Sequence, residues 1–119
     1  MSHPSICLFS AADLKAETGT PPPERILSGS PASKTWNYRE SADGKFFSGI
    51  WQSTPGKWRI EYDEEEFCHI IEGVSIIIDE RTSIATTVKS GDAFTLPAGF
   101  KGTWEVVETT RKHYAIYLP

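Results

Sequence analysis

The sequence predicts an all-β domain, either a sandwich or a small barrel, and three observations lead to this prediction. The chain has 119 residues, enough for one domain with a substantial core and too few for two typical domains. Short segments rich in β-branched and aromatic residues recur along it, and turn-forming residues separate them at intervals of about 8–12 residues. No stretch after residue 31 shows helical periodicity, so an all-β topology is expected from that point onward.

Residues 1–30 are expected to form an N-terminal arm, and residues 31–119 a single domain. "LFSAADLKAE" is compatible with a short helical turn capped by Ser10. "TGTPPPER" stops that turn, because its three prolines lack amide donors and fix the backbone. The N-terminal stretch has no basic segment followed by an apolar run, so it does not read as a secretory signal.

The predicted strands then follow in order, with turns between them. The turn segments are "ADG", "TPG", "EG", "DERT", "KSGD" and "PAGFKG". The strand segments are "KFFSGIWQST", "KWRIEY", "EFCHIIEG", "VSIIID", "SIATTV", "DAFTLP", "GTWEVVE" and "KHYAIYL".

Charge and composition exclude several classes of partner. The net charge is −4 and the basic residues are scattered, so no basic stripe for nucleic acid is present. No apolar stretch approaches the roughly 20 residues of a membrane-spanning helix. Cys7 and Cys68 have no metal-type spacing, and two thiols without a signal segment favour a reducing, cytoplasmic location over a disulfide.

Two spacings carry more specific information. Glu66 is followed by six residues and then Gly73, and Gly91 by five residues and then "PAG". "SGD" favours a tight turn into a strand, and "PAG" ends that strand because proline cannot donate to the ladder and glycine tolerates positive φ.

With these spacings the chain resembles the cupins, RmlC-like jelly-roll barrels of two antiparallel sheets. Residues 66–73 look like the end of the first cupin motif and residues 91–99 like the start of the second. "SGIWQSTPGKWRIEY", "EFCHIIEG", "GDAFTLPAGFKGTWEV" and "RKHYAIY" are similar to the group that includes ethanolamine-utilisation protein Q and the cupin domains of (S)-ureidoglycine aminohydrolase. The resemblance covers residues 29–118.

The resemblance also implies where a metal would bind. Metal-binding cupins carry His-x-His, then three or four intervening residues, and then the glutamate that corresponds to Glu66. One count places Arg59 and Glu61 at the histidine positions, and the other places Ile60 and Tyr62 there. The ligand histidine of the second motif falls on Gly102. Because transition metals in such barrels need several imidazoles, the sequence predicts a pocket without a metal cofactor, with manganese as the alternative.

The candidate site residues follow from strand alternation and from the resemblance. We call the count that places Arg59 and Glu61 at the histidine positions the first register, and the other count the second register. In the first register Arg59, Glu61 and Glu66 face inward. They would form an ion network, or the two glutamates would act as catalytic carboxylates. Cys68 shares the face of Glu66, whereas Phe67, His69 and Ile71 share the opposite face. The Lys-x-Tyr pattern of the subgroup suggests that Lys112 and Tyr114 are near the pocket. The remaining candidates are Tyr62 from the second register and two tryptophans facing the pocket, Trp104 and Trp51.

Three functions are compatible with the sequence. The first is a metal-independent cupin that binds or transforms a small nitrogenous or carboxylate metabolite, with Glu66, Glu61 and Lys112 as catalytic candidates. The second is a manganese enzyme like ureidoglycine aminohydrolase, which resembles a tandem of two cupin domains. The third is a non-catalytic accessory or sensor domain. Apolar residues on both faces of "VSIIID" and "RIEY" also predict a C₂ homodimer.

Overall fold

Nine strands and one turn of 3₁₀ helix form the part of the chain that the computed structural model describes, residues 4–10 and 14–119. The 3₁₀ turn is Pro23–Arg25. No helix among these residues is long and apolar enough to cross a membrane. The strands are β1 Glu17–Gly19, β2 Ile26–Gly29, β3 Ser33–Glu40, β4 Phe46–Ser53, β5 Gly56–Glu61, β6 Glu65–Asp79, β7 Ala85–Lys89, β8 Ala93–Leu96 and β9 Lys101–Tyr117.

The strands form two antiparallel layers that share the long strands β6 and β9. One layer has the order β1-β3-β4-β9-β6-β8 and uses the C-terminal half of β9 with the N-terminal half of β6. The other has the order β2-β5-β9-β6-β7 and uses the opposite halves. Two antiparallel layers joined through bent strands make a jelly roll, which confirms the predicted fold class.

The bend in β6 lies at Gly73, where the register with β9 shifts three times between Ile70 and Ser75. Gly73 has φ +91°, and a Cβ there would overlap the backbone carbonyl of Thr109. Only glycine tolerates both conditions, so this residue lets one strand pass from one layer to the other.

The prediction of separate short strands was wrong at this position and in β9. "EFCHIIEG" and "VSIIID" are two halves of β6, and "EG" between them is a bulge rather than a turn. "GTWEVVE" and "KHYAIYL" are likewise halves of β9. Strand β3 was not predicted. The helical turn proposed for "LFSAADLKAE" includes residues 11–13, which lie outside the described residues.

The residues assigned to the arm contribute edge strands to both layers. Strand β1 pairs with β3, and β2 pairs with β5. Further towards the N-terminus, the Phe9 ring stacks on Tyr38 at 5.2 Å, on the outer face of the first layer. Both cysteines are free thiols, as predicted: Cys7 is exposed and Cys68 is buried.

The core between the layers is mainly apolar and contains a hydrogen-bonded polar cluster around Trp104. Trp104 is buried, and its indole Nε1 donates to Ser75 Oγ at 3.1 Å. Ser75 Oγ in turn bonds Thr110 Oγ1 at 2.7 Å, so the buried polar atoms of this cluster have partners. The cluster fixes the position of Trp104, which forms part of the wall of the barrel cavity.

Candidate functional site: a cavity above a buried ion pair

The most unusual feature of the barrel interior is an ion pair between Glu66 of β6 and Lys112 of β9. Lys112 Nζ lies 2.8 Å from Glu66 Oε2, and the two residues are only 4% and 6% exposed. Strand alternation turns both side chains inward, because their strands are neighbours in the first layer. Burying two charges is costly unless they are paired at close range, and this geometry meets that condition.

Two tryptophan rings and a thiol complete the surroundings of the ammonium. Lys112 Nζ lies 4.3 Å from the ring centroid of Trp104 and 4.8 Å from that of Trp51. It also lies 3.4 Å from Cys68 Sγ. Indole faces carry a negative quadrupole, so they stabilise a cation that has left water. The lysine charge is therefore balanced from several sides.

These contacts set the protonation of the group. Burial alone would lower the pKa of Lys112, but the adjoining Glu66 carboxylate outweighs it and holds that pKa above its ordinary value. Burial also raises the pKa of Tyr62 above its usual range and that of the Cys68 thiol to about 12. At neutral pH the site therefore holds an ammonium, a protonated phenol and a protonated thiol.

A cavity of about 560 Å³ opens above this pair. Its walls are mainly aromatic and aliphatic, and polar groups lie at its floor and mouth, a composition that suits a small-molecule site. Tyr114 donates a hydrogen bond to Asn37 Oδ1 at 2.6 Å, and burial, with the nearby Glu66 and Glu17 charges, raises its pKa to about 12. The lining residues are Glu17, Thr35, Asn37, Glu40, Phe47, Trp51, Trp58, Ile60, Tyr62, Glu66, Trp104, Lys112, Tyr114 and Ile116.

The structure resolves the two registers in favour of the second. Trp58 of β5 lies opposite the buried Trp104 of β9, and Ile60 lies opposite Gly102, so Ile60 points inward. Tyr62, the other residue of that register, also lines the cavity. The apolar residues take the inner face because an inward arginine would need a buried counter-charge.

The inward placement of Arg59 and Glu61 was therefore wrong. Arg59 is exposed, and its Nη2 donates to the backbone oxygen of Glu24 at 3.0 Å. Glu61 lies 3.6 Å from Lys101 in a pair that is about half exposed. The two residues line an adjoining cleft of about 380 Å³ beside the 3₁₀ turn, which shares Trp51, Trp58, Ile60 and Tyr62 with the cavity. The counter-ion of Glu66 is Lys112, not Arg59.

The other candidates lie at or near the cavity. Glu66, Lys112, Tyr62, Trp104 and Tyr114 line it, as does Trp51. Cys68 shares the inward face of Glu66 as predicted, but it is fully buried and contacts the ion pair rather than the cavity.

His69 lies on the outer face, as predicted, and His113 lies beside it on the same face. Their Nδ1 atoms are 3.3 Å apart. Burial lowers the pKa of His113, and the neighbouring His69 and Arg111 lower it further.

Sequence reasoning missed the four lining residues that belong to strands β1 and β3, because it predicted neither strand. Thr35 and Asn37 alternate inward from β3, and Glu40 ends that strand, while Glu17 belongs to β1. The alternating pattern of "KTWNYRE", before the turn "ADG" and the strand "FFSGIW", was a hairpin signal that would have found the first three.

The residues at the implied metal position do not fit a divalent metal. Ile60 offers no donor, and the phenol of Tyr62 stays protonated. A Cβ at Gly102 would overlap the Ile78 carbonyl, so that position has no room for a histidine side chain. Glu66 is already bound to an ammonium, which repels a second cation. Among residues 4–10 and 14–119 no group of three potential metal ligands comes together.

The jelly roll and its inward-facing motif residues define a cupin barrel. A model of the EutQ-like cupin domain matches residues 40–114, which is more than half of the chain. The chain therefore belongs to the EutQ-like cupin domain family. A search of curated proteins found no match.

Solved structures similar to this chain include three bacterial cupins. A protein of unknown function of the DUF861 family from Pseudomonas syringae pv. tomato is 27% identical with a TM-score of 0.78, over 89% of this chain and 45% of its own. EutQ from Clostridium difficile is 18% identical with a TM-score of 0.64, over 74% and 64%. A putative ethanolamine utilization protein Q from Salmonella typhimurium is 15% identical with a TM-score of 0.65, over 83% and 78%.

The two EutQ structures show the fold alone at these identities. The chain spans less than half the length of the Pseudomonas protein and under two thirds of the Clostridium protein.

Proposed function

We propose that this cupin binds a small nitrogenous or carboxylate metabolite in its barrel cavity without a metal. The observation that carries the proposal is the Glu66–Lys112 pair at the floor of the cavity. A lysine ammonium lies beside the motif glutamate, so the site has its own fixed cation and the glutamate is not free to ligate a metal.

Binding is favoured over catalysis because Lys112, Tyr62 and Cys68 are each held in one protonation state. An effective general acid or base needs a pKa near the working pH. The pKa values of Lys112, Tyr62 and Cys68 are all raised further above 7, so none of the three groups exchanges protons readily at neutral pH. We therefore assign Lys112 and Glu66 a role in positioning a ligand. An accessory or sensor domain needs no more than this.

Assembly and location belong to the same proposal. The outer face of the first layer presents Phe46, Phe67 and Tyr117, which are 39–50% exposed, and the N-terminal residues Ile6 and Leu8 are also exposed. Large apolar side chains grouped on one face are typical of an interaction surface. We propose that this face forms a C₂ homodimer and that the protein works in the cytoplasm.

Tryptophan fluorescence tests the binding proposal, because the tryptophans divide cleanly between the two faces. Trp51, Trp58 and Trp104 line the cavity, whereas Trp36 packs under Arg111 on the outer face. The tryptophan fluorescence of a Trp36→Phe protein thus comes only from residues that line the cavity. We expect a saturable fluorescence change with at least one compound from a panel of small amines, ureides and carboxylates, in buffer containing a chelator.

Two variants control this titration. Asn37→Phe places a ring at the mouth of the cavity and is expected to abolish the response. Thr87→Phe adds the same ring on the exposed face of β7 and is expected to leave it intact. If no compound gives a saturable change, or if a change requires added metal, the proposed function is wrong.

A further inference from the structure

The charges that line the cavity are unequal in sign. Three carboxylates, Glu17, Glu40 and Glu66, and a single ammonium, Lys112, face it. If the carboxylates are ionised, the lining carries a net charge of −2, in a concave surface with apolar walls. Such a surface focuses its field on whatever enters it.

The ammonium is not available to attract an anion. Lys112 is only 4% exposed, lies 2.8 Å from its own carboxylate and has two indole rings against it. An incoming carboxylate would have to displace Glu66 or approach a pair that is already neutral. The floor therefore offers hydrogen bonds without a net attraction for negative charge.

The two carboxylates of the mouth have no such partner. Within residues 4–10 and 14–119, no lysine, arginine or histidine nitrogen lies within 4.0 Å of Glu17 or Glu40. Both are exposed, and the Glu17 charge contributes to the raised pKa of Tyr114, which lies in the same layer. The field at the mouth is thus negative and unbalanced.

The aromatic walls of the cavity also favour a cation over an anion. Phe47, Trp51, Trp58, Tyr62 and Trp104 line the cavity, and an aromatic face attracts cations through its quadrupole. Trp51 and Trp104 already hold the Lys112 ammonium at 4.3–4.8 Å, which shows that rings in this cavity approach a cation closely.

We infer that the cavity selects small organic cations, amines or guanidinium compounds, over carboxylates of the same size. The cationic group lies at the mouth between Glu17 and Glu40, and the hydrocarbon part lies against the aromatic wall. The inference rests on the proposed function, because it names the class of ligand that the same cavity takes.

Compounds matched in size and different in charge test this selection. The panel is 1,4-diaminobutane, 1,4-butanediol and succinate, with butylamine, butanol and butyrate as a monofunctional series and butylguanidine as a second cation. Binding is followed by the fluorescence of Trp36→Phe. We expect the cations to bind at least about tenfold more tightly than their neutral and anionic counterparts, and to weaken as salt rises from 20 to 300 mM.

Charge-removing variants locate the effect. Glu17→Gln and Glu40→Gln are each expected to weaken binding of the diamine about two- to fivefold, as for partly solvated ion pairs. Glu108→Gln removes one carboxylate from an exposed part of β9 away from the cavity and is the matched control for net charge. It is expected to change binding less than the mouth variants do.

The outcomes separate the two proposals. If succinate or butanediol binds as tightly as the diamine, the charge inference is wrong and the binding cavity stands. If the cations bind but the two mouth variants behave like Glu108→Gln, the inference is also wrong. If no compound of any charge binds, both proposals fail.

Discussion

Replacing Glu66 by glutamine removes the charge that balances Lys112 and keeps the side-chain shape. The ammonium stays buried beside Trp51 and Trp104, with an amide oxygen in place of a carboxylate. Removing one partner of a buried ion pair costs about 3–5 kcal/mol of unfolding free energy. For a domain of this length that loss lowers the melting temperature by about 12–20 °C.

The loss of unfolding free energy in Glu66→Gln should also depend on pH, and the pKa of Lys112 decides whether it grows or shrinks as pH rises. In the native protein the pKa of Lys112 is raised, so its stabilisation is complete below the unfolded-state value and is lost only as pH rises through the folded value. In Glu66→Gln the carboxylate is gone and burial lowers that pKa instead. The unfolded state then binds more protons than the folded state, so the variant regains stability relative to wild type as pH rises towards the unfolded-state lysine pKa of about 10.4.

Denaturant unfolding at several pH values measures this difference, and two further variants make it decisive. Glu61→Gln breaks an exposed pair with Lys101 and is expected to change stability by less than about 1 kcal/mol at every pH. The double variant Glu66→Gln/Lys112→Met is expected to lose less unfolding free energy than the sum of the losses of the two single variants. The difference is expected to be at least about 2 kcal/mol. A Glu66→Gln protein within about 1 kcal/mol of wild type throughout would refute the buried pair.

Three other predictions follow from the described geometry. Gly102→His is expected to lower the melting temperature and to create no metal site, because the new Cβ overlaps the Ile78 carbonyl. Elemental analysis measures the metal content, and stoichiometric zinc or manganese in this variant would contradict the packing at this position. Light scattering is expected to give a particle of about twice 13.3 kDa, and Phe67→Glu on the outer face to reduce it to a monomer; a wild-type monomer at micromolar concentration would exclude the dimer. Iodoacetamide is expected to alkylate Cys7 and spare Cys68 until the protein unfolds, because Cys68 is buried with a pKa of about 12. Mass spectrometry measures the alkylation, and rapid alkylation of both thiols in the folded protein would show that Cys68 is accessible.

The sequence predicted the elements whose signals are local. Turn residues in "SGD" and "PAG" indicated where β8 begins and ends, and Gly91 and Gly99 do take positive φ. The opposite facing of Cys68 and His69 followed from alternation alone, once Glu66 was placed inside.

The local pattern of β5 indicated its register, but the motif spacing left both registers open. "KWRIEY" is apolar on alternate positions and charged on the others, yet the resemblance to metal-binding cupins allowed either face to point inward. The choice depends on Trp58 and Ile60 lying opposite Trp104 and Gly102, partners more than forty residues away. The Glu66–Lys112 pair has the same origin, since the two residues are 46 positions apart and meet only through the pairing of β6 with β9.

A crystal structure with an anomalous difference map around Glu66, from protein purified without chelator, distinguishes a buried ion pair from a metal site. We expect Lys112 Nζ within hydrogen-bond distance of the Glu66 carboxylate and no anomalous peak beside it at wavelengths near the manganese, iron, nickel and zinc edges. An anomalous peak bonded to Glu66, with Lys112 turned away, would show that Glu66 is a metal ligand and that the buried pair is wrong.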